Sequence, residues 1–162
     1  MPIASTDIIY RLSGGAGNAS NNASLGGIIS STVLSGNVYD DVSSIEAGTG
    51  DTEYRCLYVK NNHGTLTLQG AVLWLTSNTT GNRASIGLGS SAINGTEQTV
   101  ANENTSTTGV TYTQPSTKAT GLVIGDLVAG ATKAFWFQRT IPASAAGGTD
   151  TFNFRVEGDT AP

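Results

Sequence analysis

Short apolar segments of strand length, separated by turn-forming residues, recur throughout residues 51–162. This spacing is typical of a β-sandwich, and no helical periodicity of useful length accompanies it. Alternation is clearest near the C-terminus, where Phe152, Phe154 and Val156 occupy every second position. We therefore predict an all-β chain folded as an antiparallel β-sandwich. Its predicted strands are residues 53–61, 66–77, 83–88, 109–113, 132–141 and 151–157.

Composition supports this fold class and argues against several functions. Only 12% of the residues are charged, and the residues that favour helices are sparse. The net charge is −4 and the eight Lys and Arg residues form no cluster, which argues against a nucleic-acid groove. No apolar stretch approaches the roughly 20 residues of a membrane helix, and the N-terminal MPIASTD lacks the features of a secretion signal. We expect a protein made in the cytoplasm that binds neither nucleic acid nor membrane.

Two predicted strands are apolar on both faces. They contain the sequence CLYV at residues 56–59 and AFWF at residues 134–137. A strand with one solvent-facing side would alternate instead. Either loops of the same chain cover the outer face of these strands, or a neighbouring subunit does.

The first fifty residues have a different character. Residues 13–27 are almost entirely small and polar, and they cannot bury enough apolar area to fold alone. Short apolar pieces lie before and after this stretch, including Ile29, Val33 and Leu34 on its C-terminal side. Such a segment suits an arm that docks onto another chain or sheet edge. The alternative is an edge strand and a long loop within the same domain.

We divide the chain into an extended N-terminal arm with its connecting segment, residues 1–50, and a β-sandwich domain, residues 51–162. The apolar pieces of the arm supply the candidate partner-binding residues. These residues are Ile8, Ile9, Tyr10, Leu12, Leu25 and Ile28.

Residues able to carry out catalysis are scarce. The single histidine, His63, lies in a turn-forming Asn-His-Gly sequence with no local nucleophile or orienting partner. The single cysteine, Cys56, lies in an apolar run and is interpreted as a small buried side chain. One cysteine and one histidine cannot supply a usual zinc ligand set. We predict that the chain is not an enzyme and binds no cofactor.

Carboxylates cluster at Asp40, Asp41, Glu46, Asp51 and Glu53. Oxygen ligands of this kind can hold Ca²⁺, although their spacing does not match the helix–loop–helix calcium motif. We favour a solvated acidic loop that leads into the strand at Glu53.

Aromatic residues leave a second alternative open. Five aromatic residues could form a sugar-binding platform: Tyr54, Tyr58, Trp74, Tyr112 and Trp136. Such a platform needs exposed rings, whereas each of these residues lies within a predicted strand, which favours core packing or a subunit contact. A carbohydrate-binding module, with calcium held by the acidic cluster, remains an alternative function.

Three stretches carry a resemblance to a known group of proteins. Residues 7–27, with LSGGA and ASLGG, residues 50–61 followed by HGTL, and residues 152–160 (FNFRVEGDT) resemble small structural proteins of tailed bacteriophages. The similarity extends over nearly the whole chain, but these strings assign no chemistry to a residue.

The resemblance implies an immunoglobulin-like or jelly-roll sandwich displayed on a virion. The expected function is that of a capsid decoration or cement protein, which binds the major capsid protein and copies of itself as a homotrimer on the capsid surface. A tail, baseplate or fibre component of the same virion is the alternative within this group.

Overall fold

The computed structural model describes residues 2–78, 83–145 and 150–160, which form two antiparallel sheets packed against each other. The strands are β1 (Ile8–Ser13), β2 (Ile29–Val33), β3 (Asp51–Asn61), β4 (Leu68–Asn78), β5 (Arg83–Leu88), β6 (Leu122–Leu127), β7 (Thr132–Ile141) and β8 (Phe152–Thr160). The larger sheet has the order β2-β1-β3-β7-β5, and the smaller has the order β6-β4-β8. The predicted all-β, antiparallel sandwich is confirmed.

The core lies between the two sheets and is centred on β3 and β7. These strands pair without interruption from Asp51–Ile141 to Lys60–Thr132. Strand alternation turns Leu57 and Val59 of β3 toward the smaller sheet, where they pack with the aromatic residues of β7 and β8. The alternating residues Phe152, Phe154 and Val156 therefore lie on the inner face of β8.

Loops of the same chain cover the outer face of the larger sheet. Cys56, Tyr58 and Trp136 form a second buried cluster on that face, packed against Leu25 from the N-terminal loop and Val110 from the loop after β5. Of the two explanations for strands that are apolar on both faces, the structure shows coverage by loops. This cover explains why CLYV and AFWF lack alternation.

The first fifty residues contribute β1 and β2 to the larger sheet. Strand β1 lies between β2 and β3 and pairs with β3 from Ile8–Asn61 to Leu12–Leu57. Within this chain, the segment contributes two strands joined by a long loop, with β2 at the edge of the sheet. The proposed division at residue 50 therefore separates β1 from the strand with which it pairs.

A short helix, α1 (Ser44–Thr49), connects the N-terminal segment to β3. Ser43 caps it, since its side chain accepts from the Glu46 N–H while the Glu46 carboxylate accepts from the Ser43 N–H. None of the described helices is long and apolar enough to cross a membrane.

After residue 51, one predicted strand is absent from the structure and one observed strand was not predicted. Residues 109–113 form no strand and make only an isolated bridge, Ile86–Thr113, because Val110 and Tyr112 pack down onto the outer face as part of the covering loop. Strand β6 was not predicted from its sequence LVIGDL, in which glycine and aspartate lower the apparent strand propensity.

Candidate functional site

Four of the six candidate partner-binding residues contact the interior of their own chain. Ile8 and Tyr10 pack against the core between the sheets, and Leu12 is fully buried there. Leu25 packs against the cluster on the outer face of the larger sheet. These side chains help to hold β1 and the loop after it in place.

The other two candidate residues lie nearer the surface. Ile28 directly precedes β2 and is 59% exposed, whereas Ile9 is half-buried on the opposite face of β1 from Tyr10. Val33, the last residue of β2, is 47% exposed. Because β2 forms one edge of the larger sheet, Ile28 and Val33 are two exposed apolar side chains along that edge, called here the β2 edge.

A group of buried charges closes one end of the sandwich. Glu53 and Arg55 lie on the same inward face of β3 as Leu57, but at the end of the strand that leaves the apolar core. Arg139 stands opposite Glu53 in the β3–β7 register, and its Nε donates to Glu53 Oε2. Arg55 pairs in turn with Glu103, which lies in the loop after β5.

The ring of Tyr39 packs against both guanidinium groups. The centre of its ring is 4.4 Å from Cζ of Arg139 and 5.4 Å from Cζ of Arg55. Its hydroxyl donates to the carbonyl oxygen of Glu53 at 3.2 Å. Burial raises the pKa of the Tyr39 hydroxyl well above its ordinary value, so this group remains a hydrogen-bond donor.

The acidic cluster is therefore only partly solvated. Asp40 and Asp41 are exposed, as expected for an acidic loop, but Glu53 is 1% exposed, and the prediction of a solvated carboxylate is wrong for this residue. Burial raises the pKa of Glu53, while the hydrogen bond and charge of Arg139 act in the opposite direction. Oε1 of Glu53 is buried with no hydrogen-bond partner among the described residues.

Two sets of three carboxylates meet at Glu53. In the first set, Asp40 and Glu103 each bring an oxygen within 4.8 Å of an oxygen of Glu53. In the second, Glu46 and Asp51 do the same. Both arrangements place several oxygen ligands close enough to hold one cation.

An open groove lies beside this charged end of the sandwich. Its volume is about 830 Å³. Aromatic side chains from three segments line it, together with exposed carboxylates of the loop before α1. The aromatic residues are Tyr10, Tyr39, Phe152 and Phe154.

The single histidine and the single cysteine occupy structural positions. His63 Nδ1 accepts from the backbone N–H groups of Thr65 and Leu66, at 3.1 and 3.0 Å, which holds the turn between β3 and β4. Cys56 is fully buried, and burial raises the pKa of its thiol. Each residue lies where its sequence context predicted.

Sequence reasoning missed three buried charged residues. Arg55 and Arg139 were treated only as dispersed basic residues, and Glu97, which is 3% exposed, was not singled out. A charged residue within an otherwise apolar run was the available signal for Arg55 and Arg139. Glu97 lies in a polar stretch that carries no such signal.

No family model, curated protein or solved structure matches this chain.

Proposed function

We propose that this chain is a virion structural protein, specifically a capsid decoration protein that binds the major capsid protein and stabilises the head. Two observations support the proposal. Residues 7–27, 50–61 and 152–160 resemble small structural proteins of tailed bacteriophages. The β-sandwich fold is also the one that this resemblance implies.

The observation that carries the binding surface is the exposure of Ile28 and Val33 at the β2 edge. Fully burying one large aliphatic side chain contributes about 1.5–3 kcal/mol. Such a contact is weak when single, but contacts repeated by capsid symmetry, and by a homotrimer of this chain, give high total avidity. The binding surface is thus narrower than an arm of fifty residues, because most of the apolar side chains in that segment face inward.

The direct experiment measures co-sedimentation of the purified chain with capsids that lack it. The double variant Ile28→Lys/Val33→Lys places charge on the β2 edge, and we expect a loss of binding of roughly 10-fold or more. Val123→Lys is the matched control, because Val123 is 70% exposed on the smaller sheet. Undiminished binding by the double variant contradicts this surface.

Copy number in purified particles separates the head from the tail. A copy number close to that of the major capsid protein agrees with a decoration protein on the capsid surface. A small number per particle indicates a tail, baseplate or fibre component instead. Sedimentation equilibrium of the free chain tests the proposed homotrimer.

The groove favours a second candidate function, carbohydrate binding. It combines the half-buried rings of Phe152 and Phe154 with the carboxylates of Asp40 and Asp41, and aromatic rings with a few polar groups are common in ligand sites. Binding on a glycan array that is lost in Phe152→Ala would favour this function. Absence of glycan binding leaves the decoration protein as the better hypothesis.

A further inference from the structure

We propose that Glu46, Asp51 and Glu53 form a calcium-binding site where α1 meets β3. One carboxylate oxygen of each residue lies within 4.8 Å of the chosen oxygens of the other two. Oxygen ligands of Ca²⁺ lie about 2.3–2.6 Å from the ion, so two ligands on opposite sides of the ion are about 4.6–5.2 Å apart. The three carboxylates supply three to six oxygens, depending on whether each binds with one or both, and water completes the coordination.

The buried oxygen of Glu53 is an independent observation that indicates a ligand. Glu53 is 1% exposed, and its Oε2 is already bound by Nε of Arg139. Its Oε1 has no hydrogen-bond partner in the described part of the chain. A buried oxygen without a partner is costly. A cation held jointly with Glu46 and Asp51 would satisfy it.

The second set of carboxylates at Glu53 is a poorer site. Asp40 lies 3.8 Å from Nη2 of Arg55 and 3.6 Å from Nη2 of Arg139, and Glu103 is paired with Arg55. Their oxygens already face cationic groups. A metal ion there would be repelled by both guanidinium groups, whereas in the other set Arg139 alone contacts a ligand residue, through Oε2 of Glu53.

Glu46 and Asp51 are not neutralised in this way. Within residues 2–78, 83–145 and 150–160, neither has a Lys or Arg nitrogen within 4.0 Å. Glu46 Oε2 accepts from the Ser43 N–H, and Asp51 Oδ1 accepts from the side chain of Asn104 at 2.6 Å.

The local charge also favours a divalent cation. The five carboxylates of the two sets face two guanidinium groups, which leaves an excess of negative charge. All of the side-chain ligands are oxygens, which suits Ca²⁺ rather than zinc or copper. The ligands come from a short helix and a strand, and Ca²⁺ accepts such irregular geometry more readily than Mg²⁺ does.

The experiment uses the whole chain after treatment with a chelator and removal of the chelator. Calorimetric titration with CaCl₂ should show binding with a dissociation constant on the order of 10⁻⁴–10⁻³ M, the range of extracellular calcium modules. The midpoint of thermal unfolding should rise with CaCl₂ concentration, because the site requires the folded chain. MgCl₂ is the comparison ion.

Two conservative variants test the ligands without removing the fold. Glu46→Gln keeps an acceptor for the capping hydrogen bond, and Asp51→Asn changes a half-buried side chain. Each should weaken calcium binding roughly 10-fold or more. Asp41→Asn and Glu103→Gln are the matched controls and should bind as the wild type does.

Several outcomes overturn the proposal. The first is that the wild type shows no calorimetric or thermal response to CaCl₂ up to about 10 mM, tenfold above the expected range. The second is unchanged calcium binding in both ligand variants. The third is a loss of calcium binding in Glu103→Gln equal to that in the ligand variants. An equal response to MgCl₂ overturns the assignment to calcium. The capsid-binding experiment is independent, because the β2 edge contains none of these residues.

Discussion

Tyr58 on β3 and Glu97 in the loop above it are joined by a hydrogen bond from the Glu97 N–H to the Tyr58 hydroxyl, at 3.1 Å. The same hydroxyl donates to the carbonyl oxygen of Gly27 at 2.6 Å. One side chain therefore holds both segments that cover the outer face of the larger sheet. Burial raises the pKa of Tyr58 to about 12, so its hydroxyl remains protonated at neutral pH.

Replacing Tyr58 by phenylalanine should loosen the covering loops. The variant leaves the Gly27 carbonyl and the Glu97 N–H without their partner, which costs about 1–2 kcal/mol of unfolding free energy. Cys56, fully buried beneath the cover, reports on its opening. We expect its thiol to react roughly 5- to 30-fold faster with a disulfide reagent in Tyr58→Phe.

Tyr112→Phe is the control for this experiment. The Tyr112 hydroxyl bonds with that of Thr107, at 2.9 Å, within the same loop. Its loss should leave the reaction rate of Cys56 close to that of the wild type. Equal rates for Tyr58→Phe and the wild type would show that the Tyr58 hydroxyl does not hold the cover.

Replacing Gly26 by alanine should displace the N-terminal loop from the loop after β5. Gly26 has φ +95°, which side chains rarely adopt, and an added Cβ would overlap the carbonyl oxygen of Gln98 and crowd the Trp136 ring. We expect a loss of about 2–4 kcal/mol in a urea titration. Gly17→Ala is the control, since no atom lies within 4 Å of its added Cβ and its φ is not positive. Equal stability of the two variants contradicts this account.

The sequence predicts the sandwich well because strand alternation is a local property. The inner face of β8 and the double apolar faces of β3 and β7 can be found from neighbouring residues alone. The loop at residues 109–113 cannot be found in this way, because Val110 and Tyr112 alternate like strand residues but pack on a sheet face instead of joining it. A loop that covers a sheet and a strand that joins it can have the same local sequence pattern.

The charged end of the sandwich was harder to predict because its partners are distant in sequence. Glu53 meets Arg139 only through the antiparallel register of β3 and β7, and Arg55 meets Glu103 through a loop. Spacing along the chain therefore located the carboxylates but not the guanidinium groups that neutralise some of them. The same limitation applies to the six candidate partner-binding residues, whose burial depends on how β1 is placed between its neighbours.

The protein should lose stability in acid when the Glu97 carboxylate is protonated. Burial opposes ionisation of its carboxyl group, but hydrogen bonds from Ser91, Ser90 and Gln98 outweigh this effect and lower the pKa from 4.5 to about 2. The folded state thus binds this proton less readily than the unfolded state does. The stabilising contribution is present above pH 4.5 and is lost as the pH falls toward 2.

Urea titrations of the wild type and Glu97→Gln between pH 2 and pH 6 measure this contribution, over a range that brackets the shift. The difference between the two proteins should shrink by roughly 2–3 kcal/mol as the pH falls, because only the wild type loses an ionised, hydrogen-bonded carboxylate. Burial raises the pKa of Glu53, which acts with the opposite sign, but this effect is common to both proteins and cancels. A difference that does not change with pH contradicts the prediction.

The buried pair of Glu53 and Arg139 should behave as one unit. Arg139→Met leaves the Glu53 carboxylate buried without its cation, and we expect a loss of about 3–5 kcal/mol in unfolding free energy. Adding Glu53→Gln removes the uncompensated charge, so the double variant should be more stable than Arg139→Met alone. Urea titrations of the wild type, both single variants and the double variant, all in the presence of chelator, give the coupling energy without a contribution from bound metal. Additive losses would show that the two side chains contribute independently, despite their hydrogen bond.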